Sequence, residues 1–353
     1  YQQYLEPLQD TEVYGLLNDE GKSNSHKVGD DSYTLPYAAE WYGIIYNKKI
    51  IKDYCSKDYA VIGSDADITD YATLKKVAED IQKHKDDLGI QAAFATPGLD
   101  SSDSYRFAAH MTRMPLFYEY RDLNTTFTTD LKGTYLSNYK DLFDLELSNS
   151  PSEKSMVSSK TYDDVTSEFA LGDVAFYPNG VWAYTQIKDN NVADEDLGML
   201  PYYMGIPGEE DYGPGVIMDN QWVVNKNASK ADQEATLKFI EWVQTSDEAK
   251  RIVAKEMGFA MPATTYGDDA QPDNPLVDQA LAYQKEGKKY IRSFELPSLA
   301  WQKDFGGALL EYVQGTKDWD NVRKVITDEW KSTWEANEKA APGSLPAQKE
   351  FTE

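Results

Sequence analysis

Pro36-Tyr-Ala-Ala-Glu-Trp-Tyr-Gly-Ile-Ile-Tyr-Asn-Lys48 is the stretch on which the reading of this chain turns. It alternates and then becomes apolar through Gly43-Ile44-Ile45-Tyr46, as a core strand entered through Pro36 would. Upstream, Gly21 to Asp31 is a loop rich in Gly, Ser, Asn and Asp. Downstream, Leu74, Val77, Ala78 and Ile81 recur at helical spacing behind Asp70 or Thr69, which predicts a capped amphipathic helix. Ile90 to Ala95 reads as a short strand ending at Thr96-Pro97-Gly98, followed by a loop and a second helix through Tyr105. Thr161 to Leu171 is helical up to Gly172. Asp173-Val-Ala-Phe-Tyr177 then forms a strand stopped by Pro178-Asn179-Gly180, with a helix starting near Val181. Gln221 to Val224 is a further strand, and Ser229 to Asp232 resembles a capping box opening a helix to Gln244, with a second cap at Ser246. Tyr120 to Pro151 is mixed and polar, a helical or hairpin insertion without a motif. Past Pro262 the chain is mostly helical, with Val322, Ile326, Trp330 and Trp334 on one stripe. Strands alternating with helices make the fold class α/β.

The chain has 353 residues, long enough for two lobes or one large α/β body. Hydrophobic residues make up 41% and charged ones 27%, which excludes a disordered chain and a membrane protein. Asp and Glu number 60 against 35 Lys and Arg, a formal charge of −25 that repels phosphate backbones and argues against a nucleic-acid partner. No stretch has the run of about 18 apolar residues that a membrane span needs. The single cysteine, Cys55, rules out an intrachain disulfide and any zinc cluster built on several thiolates. His26, His84 and His110 lack metal-ligand spacing and read as surface or half-buried side chains. The 25 Tyr and 8 Trp are unusual in so polar a chain. Such rings suit stacking on sugar C–H faces as well as half-buried packing.

Catalytic signatures are missing: there is no G-x-S-x-G, no phosphate-binding G-x-x-x-x-G-K-[ST], no H-E-x-x-H and no G-x-G-x-x-G opening a helix. Ser64-Asp-Ala-Asp-Ile-Thr-Asp70 superficially suggests a calcium loop, but the glycine at its sixth place is absent and Lys76 stands where a glutamate is required. No metal or other cofactor is expected.

Four segments in order, Pro36 to Lys48, Phe169-Ala-Leu-Gly-Asp-Val-Ala-Phe-Tyr-Pro-Asn-Gly-Val-Trp182, Trp222-Val-Val-Asn-Lys226 and Met257-Gly-Phe-Ala-Met-Pro-Ala263, together resemble the family 1 extracellular solute-binding proteins of carbohydrate ABC importers, the maltose- and oligosaccharide-binding group. The resemblance covers nearly the whole chain. It implies a two-lobed periplasmic-binding-protein type II fold with hinge crossovers and closure around ligand. The family's usual opening strand–helix–strand unit has no counterpart ahead of the segment Tyr1 to Leu8, so the N-terminal lobe is expected to be incomplete in this chain. By the same resemblance that lobe comprises 1–39 and 222–262 and the C-terminal lobe 41–220 and 264–353, with crossings near Ala39 to Trp41, Asn220 to Trp222 and Pro262.

The implied ligand contacts follow from those crossings and from matching family positions. Glu40, Trp41 and Tyr42 lie at the first crossing, where a carboxylate accepts hydrogen bonds from hydroxyls and an indole stacks. Asn220, Gln221 and Trp222 lie at the second, with Trp222 the most structural of the three. Asp100, Ser102 and Tyr105 sit in the loop after Gly98. Asn179 and Trp182 belong to the family's sugar-platform turn, and Trp301 matches another stacking position. Trp242, Trp319, Trp330 and Trp334 fall on helical stripes and are assigned to packing.

The implied function is a monomeric extracellular receptor, without catalytic residues, that captures an oligosaccharide and delivers it to ABC permease subunits. Its expected location is the surface of a Gram-positive cell, through a lipid anchor outside this stretch, with the periplasm as the alternative. Two competing readings are a glycoside hydrolase or lyase acting on similar sugars and a binder of a polyamine-type solute on the same fold.

Overall fold

The computed structural model describes residues 2–352, so Tyr1 and Glu353, the outer limits of the expected lobes, lie outside the described residues. Among the described residues ten strands occur in chain order: β1 Lys27–Val28, β2 Asp31–Ser32, β3 Leu35–Pro36, β4 Glu40–Asn47, β5 Ala92–Phe94, β6 Val174–Gly180, β7 Leu197–Leu200, β8 Tyr212–Ile217, β9 Gln221–Trp222 and β10 Lys289–Arg292. The chain divides into two units at Trp41/Tyr42, Gly215/Val216 and Val277/Asp278.

The first unit holds the N-terminal stretch through Trp41 with Val216–Val277. Leu8, Val13, Leu17, Leu35, Val224 and Ile240 form its core. The helix Lys230–Thr245 begins where the Ser229 side chain accepts the Asp232 N–H, as the capping pattern predicts. Ser246, by contrast, makes no side-chain cap bond. The expected four-residue strand at Gln221 shortens to β9, which pairs antiparallel with β3 in the register Leu35↔Trp222 and Pro36↔Gln221. Pro36 brings no N–H to extend that ribbon, and Val223 is left exposed.

The second unit is built on β4 from Tyr42 onward, and all eight residues of that strand are buried. One edge pairs antiparallel with β6, from Tyr42↔Gly180 to Tyr46↔Phe176, and Ile44 to Asn47 pair with β7. β5 runs parallel to β6, and the sheet order is β10-β8-β4-β6-β5. Gly43 is the position at which β4 passes the chain after β7: a β-carbon there would collide with the Leu200 carbonyl. The helix Tyr71–Lys83 is capped by Asp70 and buries Leu74, Val77, Ala78 and Ile81, the predicted face. The polar insertion holds the helix Leu136–Ser148. The stripe Val322, Ile326, Trp330 and Trp334 is buried as expected, and the Trp330 indole donates to the Thr128 carbonyl at 2.9 Å.

β6 does not stop at Pro178. It continues to Gly180, with Pro178 opposite Ile44, inside the sheet, where proline is rare because it offers no ladder donor.

Within this unit the Glu146 carboxyl is fully buried, and among the described residues neither of its oxygens has a hydrogen-bond partner. Burial raises it from about 4.5 to about 8, with the positive charge of Arg106 opposing the rise; Tyr139 and Tyr202 feel its charge in turn. A raised carboxyl holds its proton in the folded chain after the unfolded chain has released it. Folding stability therefore falls as pH climbs from about 4.5 to about 8 and levels off above. Glu146→Gln should flatten that fall, measured as melting temperature between pH 5 and pH 9, and an unchanged slope would exclude Glu146 as its source.

Candidate functional site

In the first unit Glu40 opens β4 and is only 7% exposed. Its Oε2 accepts the Asn220 side-chain amide at 2.8 Å. Burial lifts the carboxyl to about 7, opposed by that hydrogen bond and reinforced by the nearby Asp219 carboxylate. Protonated and ionised forms therefore coexist near neutral pH. Asn220 is held in turn by the Tyr37 N–H, which donates to its carbonyl at 3.1 Å. Gln221 is tied to its surroundings: its amide donates to the Met218 and Asn24 carbonyls, and the Thr34 hydroxyl donates to its oxygen. Trp41 is buried, and Trp222 stacks on Tyr37 with ring centroids 4.7 Å apart. Trp222 and Tyr37 also line an apolar hollow with Phe239, Trp242 and Met257. Trp242 is 43% exposed there, which corrects its assignment to packing: its stripe has no layer above it in this unit.

In the second unit the scaffold of the site is a buried ion pair. Arg106 donates from Nε to Asp103 at 2.7 Å and from Nη2 to the other carboxylate oxygen, with both side chains essentially unexposed. Its remaining donors reach the Pro178 carbonyl at 2.7 Å and the Thr96 carbonyl at 3.3 Å. One guanidinium thus joins the ends of β5 and β6 to the loop carrying Asp100 and Ser102, and the planar fork of donors suits that task. Gly98 makes room for the pair, since a β-carbon there would meet the Asp103 carboxylate.

Above this pair lies a ring cluster. Trp182 is half-buried, and its indole N–H donates to the Tyr105 hydroxyl at 3.2 Å. Its ring lies over Gly180, where any β-carbon would strike it. His110 packs 4.9 Å from Trp182, 5.2 Å from Tyr105 and 4.8 Å from Tyr42. Burial, with Arg113 and Arg106 nearby, holds the His110 imidazole well below its ordinary value, so the ring is neutral. Tyr105 and Tyr162, 6.4 Å apart, line a surface pocket with Ser102, Thr161 and Asp163. Asp100 accepts both the N–H and the hydroxyl of Ser102, an arrangement that lowers its carboxyl.

The residues expected to contact ligand therefore separate by environment. Trp182, Tyr105 and Ser102 form one group in the second unit, and Glu40 and Asn220 another in the first. Tyr42 is fully buried, with its hydroxyl 3.0 Å from the Ser293 hydroxyl. Asn179 is also internal, donating to the Tyr177 hydroxyl and accepting the Gly180 N–H. Trp301 lies elsewhere: it is 1% exposed, stacks on Phe305, packs edge-on to Trp330 and donates to the Val325 carbonyl at 2.9 Å. A ring enclosed on both faces has no surface for a sugar, so Trp301 is a core residue. Sequence reasoning missed Tyr162, His110 and the Arg106–Asp103 pair. The spacing of Asp103 and Arg106, three residues apart at a helix start, was the one signal available for the pair.

A family model described as bacterial extracellular solute-binding protein matches residues 1–279. The chain belongs to that family. Its fold is shared with solved structures of low sequence identity. One, described as a chitin oligosaccharide binding protein, is 20% identical with a TM-score of 0.70, covering 95% of this chain and 79% of its own. A Streptococcus pneumoniae solute-binding protein in complex with the blood group A-trisaccharide is 16% identical with a TM-score of 0.65, covering 94% and 80%. A Bacillus licheniformis sugar transporter in complex with stachyose is 18% identical with a TM-score of 0.64, covering 94% and 82%. No curated protein matches the chain. Among the described residues no helix is long and apolar enough to cross a membrane.

Removing one partner of the buried pair strands the other charge. Asp103→Ala should cost roughly 3–5 kcal/mol in denaturant unfolding, and Asp103→Leu combined with Arg106→Met should recover much of it. Equal losses in the single and double variants would show that the pair is not what holds the two strand ends.

Proposed function

We propose that this protein is the extracellular receptor of an ABC importer for an oligosaccharide. It binds the sugar unchanged and hands it to permease subunits, acts as a monomer without a cofactor, and is held at the membrane of a Gram-positive cell by a lipid anchor. The observation that carries this reading is the half-buried Trp182 ring, fixed by its bond to Tyr105, which itself lines a surface pocket with Ser102, Thr161 and Tyr162. A fixed aromatic face beside several hydroxyls fits the apolar C–H face and polar rim of a pyranose. That three structural neighbours are described as binding or holding oligosaccharides supports the same class. In the first unit Glu40, oriented by Asn220, supplies acceptor oxygens.

One observation favours a hydrolase instead. A carboxyl raised to about 7 is what a general acid requires. A glycosidase, however, also needs a second carboxylate across the scissile bond, and Asp219, the carboxylate that acts on Glu40, stands next in the chain to the Asn220 whose amide is bonded to it.

Titration calorimetry against a panel of neutral oligosaccharides, followed by product analysis, tests the receptor directly. Trp182→Ala should weaken binding by about 1–3 kcal/mol without unfolding the chain, and Glu40→Gln by about 1.5–3 kcal/mol. Reducing ends released by the natural protein and lost in Glu40→Gln would replace the receptor with an enzyme.

A further inference from the structure

The pocket beside Trp182 carries an electrostatic signature that the receptor reading does not use. Its lining of Ser102, Tyr105, Thr161, Tyr162 and Asp163 contains hydroxyls, two phenol rings and one carboxylate, with no basic side chain. Asp163 is exposed, and among the described residues its carboxylate has no hydrogen-bond or ion-pair partner.

The cations around the pocket are already engaged. Arg106 lies buried beneath it with its donors on Asp103, Pro178 and Thr96. Lys160, next to Thr161 in the chain, is 3.4 Å from Glu168. His110, within the ring cluster, is neutral.

The other feature of this region able to attract an anion is the start of the helix Tyr162–Ala170, where the Tyr162, Asp164 and Val165 N–H groups are already bonded. The Tyr162 N–H donates to the Ser102 hydroxyl at 3.1 Å, and the Asp164 N–H to Thr161 at 3.2 Å. Asp163 and Asp164 add two negative charges in the same turn.

We propose that this pocket, within the sugar receptor inferred above, selects uncharged sugar rings and rejects those carrying a carboxylate or phosphate, with Asp163 supplying the discriminating charge. A ligand anion would meet an unpaired carboxylate at close range with no cation free to offset it. Hydroxyls of a neutral ring can instead donate to that carboxylate and accept from the Tyr105 hydroxyl, whose oxygen takes the Trp182 N–H, whereas the Ser102 and Thr161 hydroxyls already donate to Asp100 and Asp164 and offer only acceptor oxygens.

The experiment uses calorimetry on the full chain with maltotriose, cellotriose and tri-N-acetylchitotriose. Maltotriose and cellotriose are each also compared with the same trisaccharide oxidised at its primary alcohols to the uronate. The neutral form of a bound maltotriose or cellotriose should bind about tenfold or more tighter than its uronate. Asp163→Asn, an exposed substitution that should leave the melting temperature unchanged, should shrink that gap severalfold. A uronate bound as tightly as its neutral parent, or a gap untouched by Asp163→Asn, overturns the charge selection and leaves the receptor standing. Failure of every trisaccharide, neutral and acidic, counts instead against the receptor reading.

Discussion

The Arg106–Asp103 pair is the constraint on which the second unit depends. β6 carries a proline inside the sheet, and past the Phe94↔Phe176 pair, where the ladder of β5 and β6 ends, the Pro178 carbonyl, Thr96 and Asp103 converge on one side chain. A guanidinium with donors directed to all three turns them into one platform. The pair is out of solvent, so screening by salt does little to it and its geometry must be nearly complete to offset desolvation. Four hydrogen bonds from a single side chain meet that demand.

Upon that platform the ring cluster has limited freedom. Trp182 is pinned by the Tyr105 hydroxyl on one side and by the bare backbone of Gly180 beneath. An aromatic face fixed before ligand arrives loses little rotamer entropy on binding. The first unit uses a different device: Glu40 is held in a largely buried position by the Asn220 amide, which is itself anchored through its backbone to Tyr37. The unit boundary falls between Trp41 and Tyr42, so the two residues following Glu40 belong to different bodies.

Much of the fold was legible because it depends on local chemistry. Asp70 and Ser229 cap helices where their side-chain oxygens predict, and the stripe from Val322 to Trp334 is buried at helical period. The failures have a common source in contacts made far along the chain. Pro178 reads as a stop signal locally, yet the ladder continues past it, with its carbonyl taken by Arg106 from 72 residues away. Trp301 and Trp182 are the same residue type beside similar turns. Only the packing of Phe305 and Trp330 on one, and the open pocket next to the other, separates core from surface. Trp242 erred in the opposite direction, since helical spacing shows which side chains share a face and not whether anything covers it.

The space beneath Gly98 has a consequence for how this chain can change over evolutionary time. Gly98, Asp103 and Arg106 occupy one volume and satisfy one set of donors, so drift at any of them alters what the other two can tolerate. A neutral path between this arrangement and an uncharged one must pass through a chain holding an unpaired buried charge, unless two positions change together. Descendants of this sequence should therefore keep or lose the three as a block, while Asp100 and Ser102, a few residues away on the surface of the same loop, remain free to vary.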